Sequence, residues 1–497
     1  MKYISTRGNY DKVEASEAIR LGMVPTGGLF VPEEIPRLSE ETIYSMENSS
    51  YQEIAYNVLT KFLTDYTDEE LQEAIASAYN TTNFSTEKIT PLYKLDDESY
   101  ILELWHGPTA AFKDLALQIM PYLLAQAIEK KETDKDILIL VATSGDTGKA
   151  ALEGFRNVDG IKIIVFYPDE GVSEIQKRQM VTTTGDNTAV VAVNGNFDDC
   201  QNSVKGIFGD QDFKKIIANK GYQFSSANSI NWGRLVPQII YYFAAYAELL
   251  KKDEIKRGEK INITVPTGNF GNILASYYAY RMGLPINRFI CASNDNKVLT
   301  EFFKTGVYDK NRDFKKTISP SMDILISSNL ERFLFEITGH NDRKIDTWYR
   351  QLKEEGKFEI DEEVKDKIDE LFVGEYATEA EIKKTIKRVY RQDKYLIDPH
   401  TAVGVNVYNK YVKNYNNKVA TVIDATANPY KFSATVLSAI DDSSIINEMT
   451  KFDILKELSE ESGTEIHSGL KGLTDREVKH EFKCQVDEIK DMIQQIL

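Results

Sequence analysis

Asp136–Ala142 (DILILVA) and Ile161–Phe166 (IKIIVF) are nearly unbroken apolar runs of strand length, and they narrow the possible folds most. A strand with one wet face alternates apolar and polar residues, so a continuous run marks a strand covered on both faces. Ala189–Val193 and Ile261–Val265 are further runs of strand length, and Arg288–Ala292 and Val419–Asp424 continue the series. Helical patterns separate them at Lys149–Arg156, Glu174–Val181 and Ile273–Met282. Buried strands alternating with helices predict an α/β fold built on parallel sheets with right-handed crossovers.

The flanking regions read differently. Residues 1–95 are predicted as a mostly helical lead, in which Thr67 caps an amphipathic helix carrying Leu71, Ile75 and Tyr79. Residues 319–395 hold charged amphipathic patterns at Asp346–Lys357, Glu362–Leu371 and Glu379–Arg391, read as a helical insertion. Residues 441–497 read as a charged helical tail, which leaves 96–318 with 396–440 as the α/β core.

Three segments of that core carry chemistry. In Glu103–Asp114 (ELWHGPTAAFKD), Lys113 follows a Gly-Pro turn and opens a helix-like run over Asp114–Leu124. Ala142–Gly148 (ATSGDTG) and Pro266–Asn272 (PTGNFGN) are glycine-bearing loops between strand and helix, which suit an anionic group. A lysine with two such loops points to a Schiff-base cofactor with a phosphate handle, pyridoxal 5'-phosphate. ATSGDTG is not a nucleotide P-loop, since Thr143 stands at the first glycine position and Ala150 follows Gly148-Lys149.

HGPTAAFKD, ATSGDTG, NSINWGRLVPQ, PTGNFGN, DPHTAVG and ATANPYKF occur in the order found in threonine synthases, and the chain resembles that family from about Tyr3 to Phe432. The opening STRGNYDKVEASEAIRLGMVPTGGLFVPEEIP is similar to the amino-terminal segment of the long bacterial and fungal form. The resemblance implies a fold-type-II pyridoxal-phosphate enzyme, similar to the tryptophan synthase β chain, with two parallel-sheet α/β domains and the cofactor in their cleft. It also implies conversion of O-phospho-L-homoserine and water into L-threonine and phosphate.

Residue by residue, the resemblance makes Lys113 the Schiff-base lysine and general acid–base. It makes Gly268, Asn269, Phe270, Gly271 and Asn272 the cradle of the cofactor phosphate. Thr426 meets the ring nitrogen, and Asp146 lies near the ring hydroxyl. Ser144 and Thr147 hold the substrate carboxylate. Asn228, Ser229 and Arg234 hold the substrate phosphate, with Asn231 beside them. His400 either lines the site or is structural. The ATANPYKF loop departs from the family at Asn428 and Tyr430, where His and Ala are usual.

Composition limits partners. The formal net charge is −17 and no basic cluster stands out, so nucleic acid is not expected. Three cysteines and five histidines lack metal-ligand spacing; His480 and Cys484 read as a surface pair on a helix. The longest apolar stretch, Pro237–Leu250, contains Gln238 and Glu248 and is too short to span a bilayer. The expectation is a cytoplasmic protein, monomer or homodimer, without metal or membrane contact. Rival readings are a phospho-lyase that releases a 2-oxo acid, ammonia and phosphate; a threonine or serine dehydratase; and a scaffold with a dead site.

Overall fold

A computed structural model describes residues 1–131, 135–143, 145–170, 172–441 and 449–497. Its strands are β1 (Tyr3–Ser5), β2 (Phe30–Pro32), β3 (Leu92–Lys94), β4 (Ser99–Glu103), β5 (Asp136–Ala142), β6 (Ile161–Pro168), β7 (Thr188–Asn194), β8 (Tyr222–Ser225), β9 (Ile261–Pro266), β10 (Ile286–Ser293), β11 (Val307–Asp309), β12 (Lys357–Glu359), β13 (Phe372–Tyr376), β14 (Thr421–Ala425) and β15 (Phe482–Gln485). Two sheets carry the fold. The larger runs β13-β10-β9-β14-β4-β3, parallel except for the β3–β4 pair. The smaller runs β15-β7-β6-β5-β8 and is parallel throughout.

The apolar runs are strands because helices cover both faces. Ile137 to Val141 of β5 are fully buried, as are Ile163 to Phe166 of β6. The helix Asp68–Ala78 starts at Thr67 as expected: Thr67 Oγ1 accepts from Glu70 N at 3.2 Å, and Glu70 accepts from Thr67 N at 2.7 Å. Leu71, Ile75 and Tyr79 are buried beneath it.

Several expectations change. The run Asp114–Leu124 is two helices, Asp114–Leu117 and Met120–Glu129, because Pro121 has no N–H for the Leu117 carbonyl. The lead contains β1, β2 and β3 besides its helices. The insertion 319–395 keeps its three helices, yet β13 within it pairs with β10 as the outer strand of the larger sheet. In the tail, β15 pairs with β7, so Cys484 sits on a strand and the helical reading of His480–Cys484 is corrected. The tail boundary at 441 adjoins residues 442–448, which lie outside the described residues.

Candidate active site

Five of the six motifs leave the carboxyl ends of parallel strands, while DPHTAVG opens the helix Pro399–Tyr415. HGPTAAFKD follows β4, PTGNFGN follows β9 and ATANPYKF follows β14, three neighbours in the larger sheet. ATSGDTG follows β5 and NSINWGR follows β8, neighbours in the smaller sheet. Open α/β sheets bind ligands in the crevice outside these strand ends.

The Lys113 loop is braced from within and from β14. Asp114, fully buried, accepts from Thr109 N at 2.8 Å and Thr109 Oγ1 at 2.6 Å. Burial pushes its carboxyl up to about 6 against those bonds. Phe112 N donates to Thr426 O at 2.9 Å and Asn428 N to Ala110 O at 3.0 Å. Lys113 Nζ lies 3.8 Å from Asp146 Oδ2, which joins the loops of the two sheets. Burial lowers the Lys113 amine, Lys431 and Arg234 add to that, and Asp146 and Asp114 oppose it. An amine in such surroundings gives up its proton more readily, as a nucleophilic lysine requires.

Asp146 begins the helix Asp146–Phe155 and is nearly inaccessible. Gln176 Nε2 donates to Oδ1 at 2.7 Å, Lys431 Nζ lies 2.8 Å from the same oxygen, and Ser321 Oγ donates to Oδ2 at 3.4 Å. Burial alone would raise this carboxyl, but Lys431 and Lys113 outweigh it and hold it far below the usual carboxylate range. Thr147, half-buried, follows on the same turn, and Ser144 lies outside the described residues.

At PTGNFGN the helix Gly271–Arg281 starts without a side-chain cap, its first residue led by Phe270 at φ +62°. Gly271 and Asn272 are buried, so the first-turn amides face inward rather than solvent. A Cβ built on Gly271 would meet the side-chain amide nitrogens of Asn329 and Gln238, both at 3.6 Å, an ordinary contact distance. Gly268 is fixed by space instead, since a Cβ would lie 2.7 Å from the Ser321 carbonyl. This donor set fits a phosphate. The Phe270 ring is buried among Phe303, Phe333 and Phe372, so only its backbone can serve a ligand.

NSINWGR holds a buried cation with no carboxylate in salt-bridge distance among the described residues. Arg234 is 3% exposed; Nη1 donates to Ala227 O, and Nε has no partner. Burial brings its guanidinium down to about 10, with Asp114 pulling the other way. Ser229 Oγ lies 3.3 Å from Ser328 Oγ, and Asn228 N donates to Ser226 Oγ at 3.2 Å. Asn231 is structural: Nδ2 donates to Ile19 O and Ser226 O, and Oδ1 caps the next helix through Gly233 N.

The structure adds residues that sequence reasoning passed over. Ser327 Oγ donates to Gly268 O at 2.7 Å, and Asn329 Nδ2 donates to Asn269 O at 3.1 Å and Ser229 O at 3.2 Å. Ser321, Ser327 and Asn329 thus link the glycine loop, Asp146 and NSINWGR, although the sequence reading put them in the insertion. The serine and asparagine cluster Ser327-Ser328-Asn329 was the available signal. Lys431 stood in a quoted motif without a role. His400 accepts from Ser321 N at 3.1 Å through Nε2, with Nδ1 2.6 Å from Asp398, so it holds the Ser321 turn in place. Tyr430 explains its departure from the family pattern: its hydroxyl donates to Thr464 O at 2.7 Å and ties the loop to the tail. The tail also closes on the Lys113 loop at Gly469, where a Cβ would stand 2.2 Å from the Pro108 carbonyl.

Three family models match in sequence order: "Threonine synthase N terminus" at residues 2–79, "Pyridoxal-phosphate dependent enzyme" at 84–424, and "Threonine synthase, C-terminal" at 401–493. The chain belongs to the threonine synthase family. It is 36% identical to threonine synthase of Eremothecium gossypii, over 100% of this chain and 98% of that protein. It is 38% identical to threonine synthase-like 1 of Homo sapiens over 98% of this chain, and spans 67% of that protein's length. A crystal structure of pyridoxal-phosphate-bound threonine synthase from Brucella melitensis superposes with a TM-score of 0.88 at 35% identity, over 100% of this chain and 99% of that one. Membership carries the fold-type-II architecture and pyridoxal phosphate as cofactor. No helix among the described residues is long and apolar enough to cross a membrane.

Proposed function

We propose that this chain acts on O-phospho-L-homoserine and water, giving L-threonine and phosphate. One observation carries the substrate reading: Arg234 is a buried cation with an unpartnered Nε, held on a different loop from the glycine cradle. Two separate anion sites suit a cofactor phosphate and a substrate phosphate, and an arginine fork suits the second.

We assign the remaining roles to the residues gathered around Lys113. Gly268, Asn269, Phe270, Gly271 and Asn272 hold the cofactor phosphate through backbone donors. Thr426 faces the ring nitrogen and Asp146 the ring hydroxyl. Ser144 and Thr147 take the substrate carboxylate, and Asn228 and Ser229 join Arg234 on the substrate phosphate. When bound, pyridoxal phosphate supplies an electron sink that acidifies the substrate's Cα and Cβ hydrogens. Lys113 holds the cofactor at rest, then as a free amine takes the Cα proton and relays protons at Cβ and Cγ. Arg234 stabilises the phosphate as it leaves Cγ. The protein works in the cytoplasm, as monomer or homodimer.

Product analysis in ¹⁸O-labelled water tests this. The expected products are threonine and phosphate in equal amounts, with label in the threonine hydroxyl and none in the phosphate. The alternative reading is a phospho-lyase. Predominant 2-oxobutanoate and ammonia would establish it and refute the synthase.

A further inference from the structure

The Lys431 ammonium is shut off from water, with a side-chain exposure of 0%. It lies on the short turn Pro429–Phe432 after β14 and reaches across to the loops of both sheets. Its Nζ donates to the Thr109 carbonyl at 2.8 Å and lies 2.8 Å from Asp146 Oδ1, the oxygen that also accepts from Gln176 at 2.7 Å. The other oxygen, Oδ2, is shared between Ser321 Oγ at 3.4 Å and Lys113 Nζ at 3.8 Å. Asp146 is therefore anchored by its far side and stops short of a close ion pair with Lys113.

That spacing has a chemical consequence. A carboxylate free to approach an ammonium closes to roughly 2.7–2.9 Å and favours its protonated form. An amine attacks a carbonyl carbon, or accepts a proton from substrate, only when neutral. We propose that Lys431 is a positioning residue: it draws Asp146 back from Lys113, so that Lys113 stays available as the free amine while Asp146 stays ionised. The proposal rests on the reading of Lys113 as the cofactor lysine. The charged groups that act on Lys113 are Asp146 and Asp114, which favour its proton, and Lys431 and Arg234, which oppose it. Lys431 is thus placed to act twice, by its own charge and through Asp146.

Competitive acetylation of the cofactor-free full chain across pH, read by mass spectrometry on the Lys113 peptide, gives the amine's midpoint without turnover. The visible absorption of the cofactor-loaded enzyme, titrated in parallel, gives a second midpoint. Lys431→Met is expected to raise the Lys113 midpoint by about one unit or more, as loss of one nearby cation and closure of one ion pair imply. Lys431→Arg, which keeps the charge, is expected to stay nearer the parent. The double variant Lys431→Met with Asp146→Asn removes both buried charges together, which keeps the fold in reach if the single variant does not fold. Compared with Asp146→Asn alone, it should shift Lys113 by no more than about half a unit, because the main route runs through Asp146. A parent-like midpoint in Lys431→Met, or a full unit between the two Asp146→Asn backgrounds, overturns the proposal. Failure of the Lys113 reading is separate: Lys113→Ala would then keep the visible band.

Discussion

Replacing Arg234 with methionine removes a charge and fork while keeping most of the volume. The guanidinium has one carbonyl partner, an unpartnered Nε and no carboxylate within salt-bridge distance among the described residues. A buried ion held so poorly contributes little to folding, so Arg234→Met should leave the stability of the ligand-free protein unchanged or raise it. Substrate binding is where the loss appears. Hydrogen bonds to a charged group are worth about 1.5–3 kcal/mol, and each 1.36 kcal/mol is tenfold in rate, so kcat/KM for phosphohomoserine should fall roughly 10- to 150-fold. Inorganic phosphate supplies a second readout on the cofactor-loaded enzyme. An anion that binds only the native state stabilises it, by about 2.7 kcal/mol at a hundred times Kd. Phosphate should therefore raise Tm in the parent and much less in the variant. Steady-state kinetics, the visible cofactor band and thermal melts with and without phosphate complete the assay. Unchanged kcat/KM, or collapse of cofactor affinity with intact substrate kinetics, would refute the assignment of Arg234 to the substrate.

Lys113→Ala should lose the visible band and nearly all turnover, measured by absorption and product assay. Gly469→Val should destabilise the protein by about 1–3 kcal/mol, because the clash is with a backbone carbonyl that cannot swing away; denaturant unfolding measures it. Burial pushes the Asp424 carboxyl up to about 8, only partly offset by the Tyr242 hydroxyl at 2.7 Å. A folded value raised above the unfolded one gives stability present below pH ~4 and lost as pH rises through the folded value. Asp424→Asn should abolish that loss, so its denaturant midpoint above pH 8 should equal or exceed the parent's.

What could be read from sequence follows from what each element faces. Asp136–Ala142 and Ile161–Phe166 declared themselves because burial on both faces removes polar residues. FKCQ at Phe482–Gln485 could not, because Cys484 alone is buried while Phe482, Lys483 and Gln485 are exposed, as suits an outer strand. Ser99–Glu103 was passed over although it precedes Lys113; it is five residues long and starts in a polar turn. Lys113 and the glycine loops were legible because each is a local motif. Lys431 was not, since its meaning comes from Asp146, a partner nearly 300 residues away in sequence. Ser321 to Asn329 were hidden for the same reason, being joined to the site only by tertiary contacts.

The pairing of Phe482–Gln485 with Val191–Asn194 sets an order of events during synthesis. The strand that completes the smaller sheet leaves the ribosome about 290 residues after the one it covers. At roughly 5–20 residues per second that is some 15–60 s. Through that interval β7 presents unpaired backbone on one side, the kind of edge to which another nascent chain can add. The segment that later reaches the site loops arrives in the same late stretch, since Thr464 and Gly469 precede β15 and contact Tyr430 and Pro108. A nascent chain therefore carries Lys113, Asp146 and Arg234 well before its catalytic loops are clasped, and a chaperone that shields β7 would act on this protein at a predictable length.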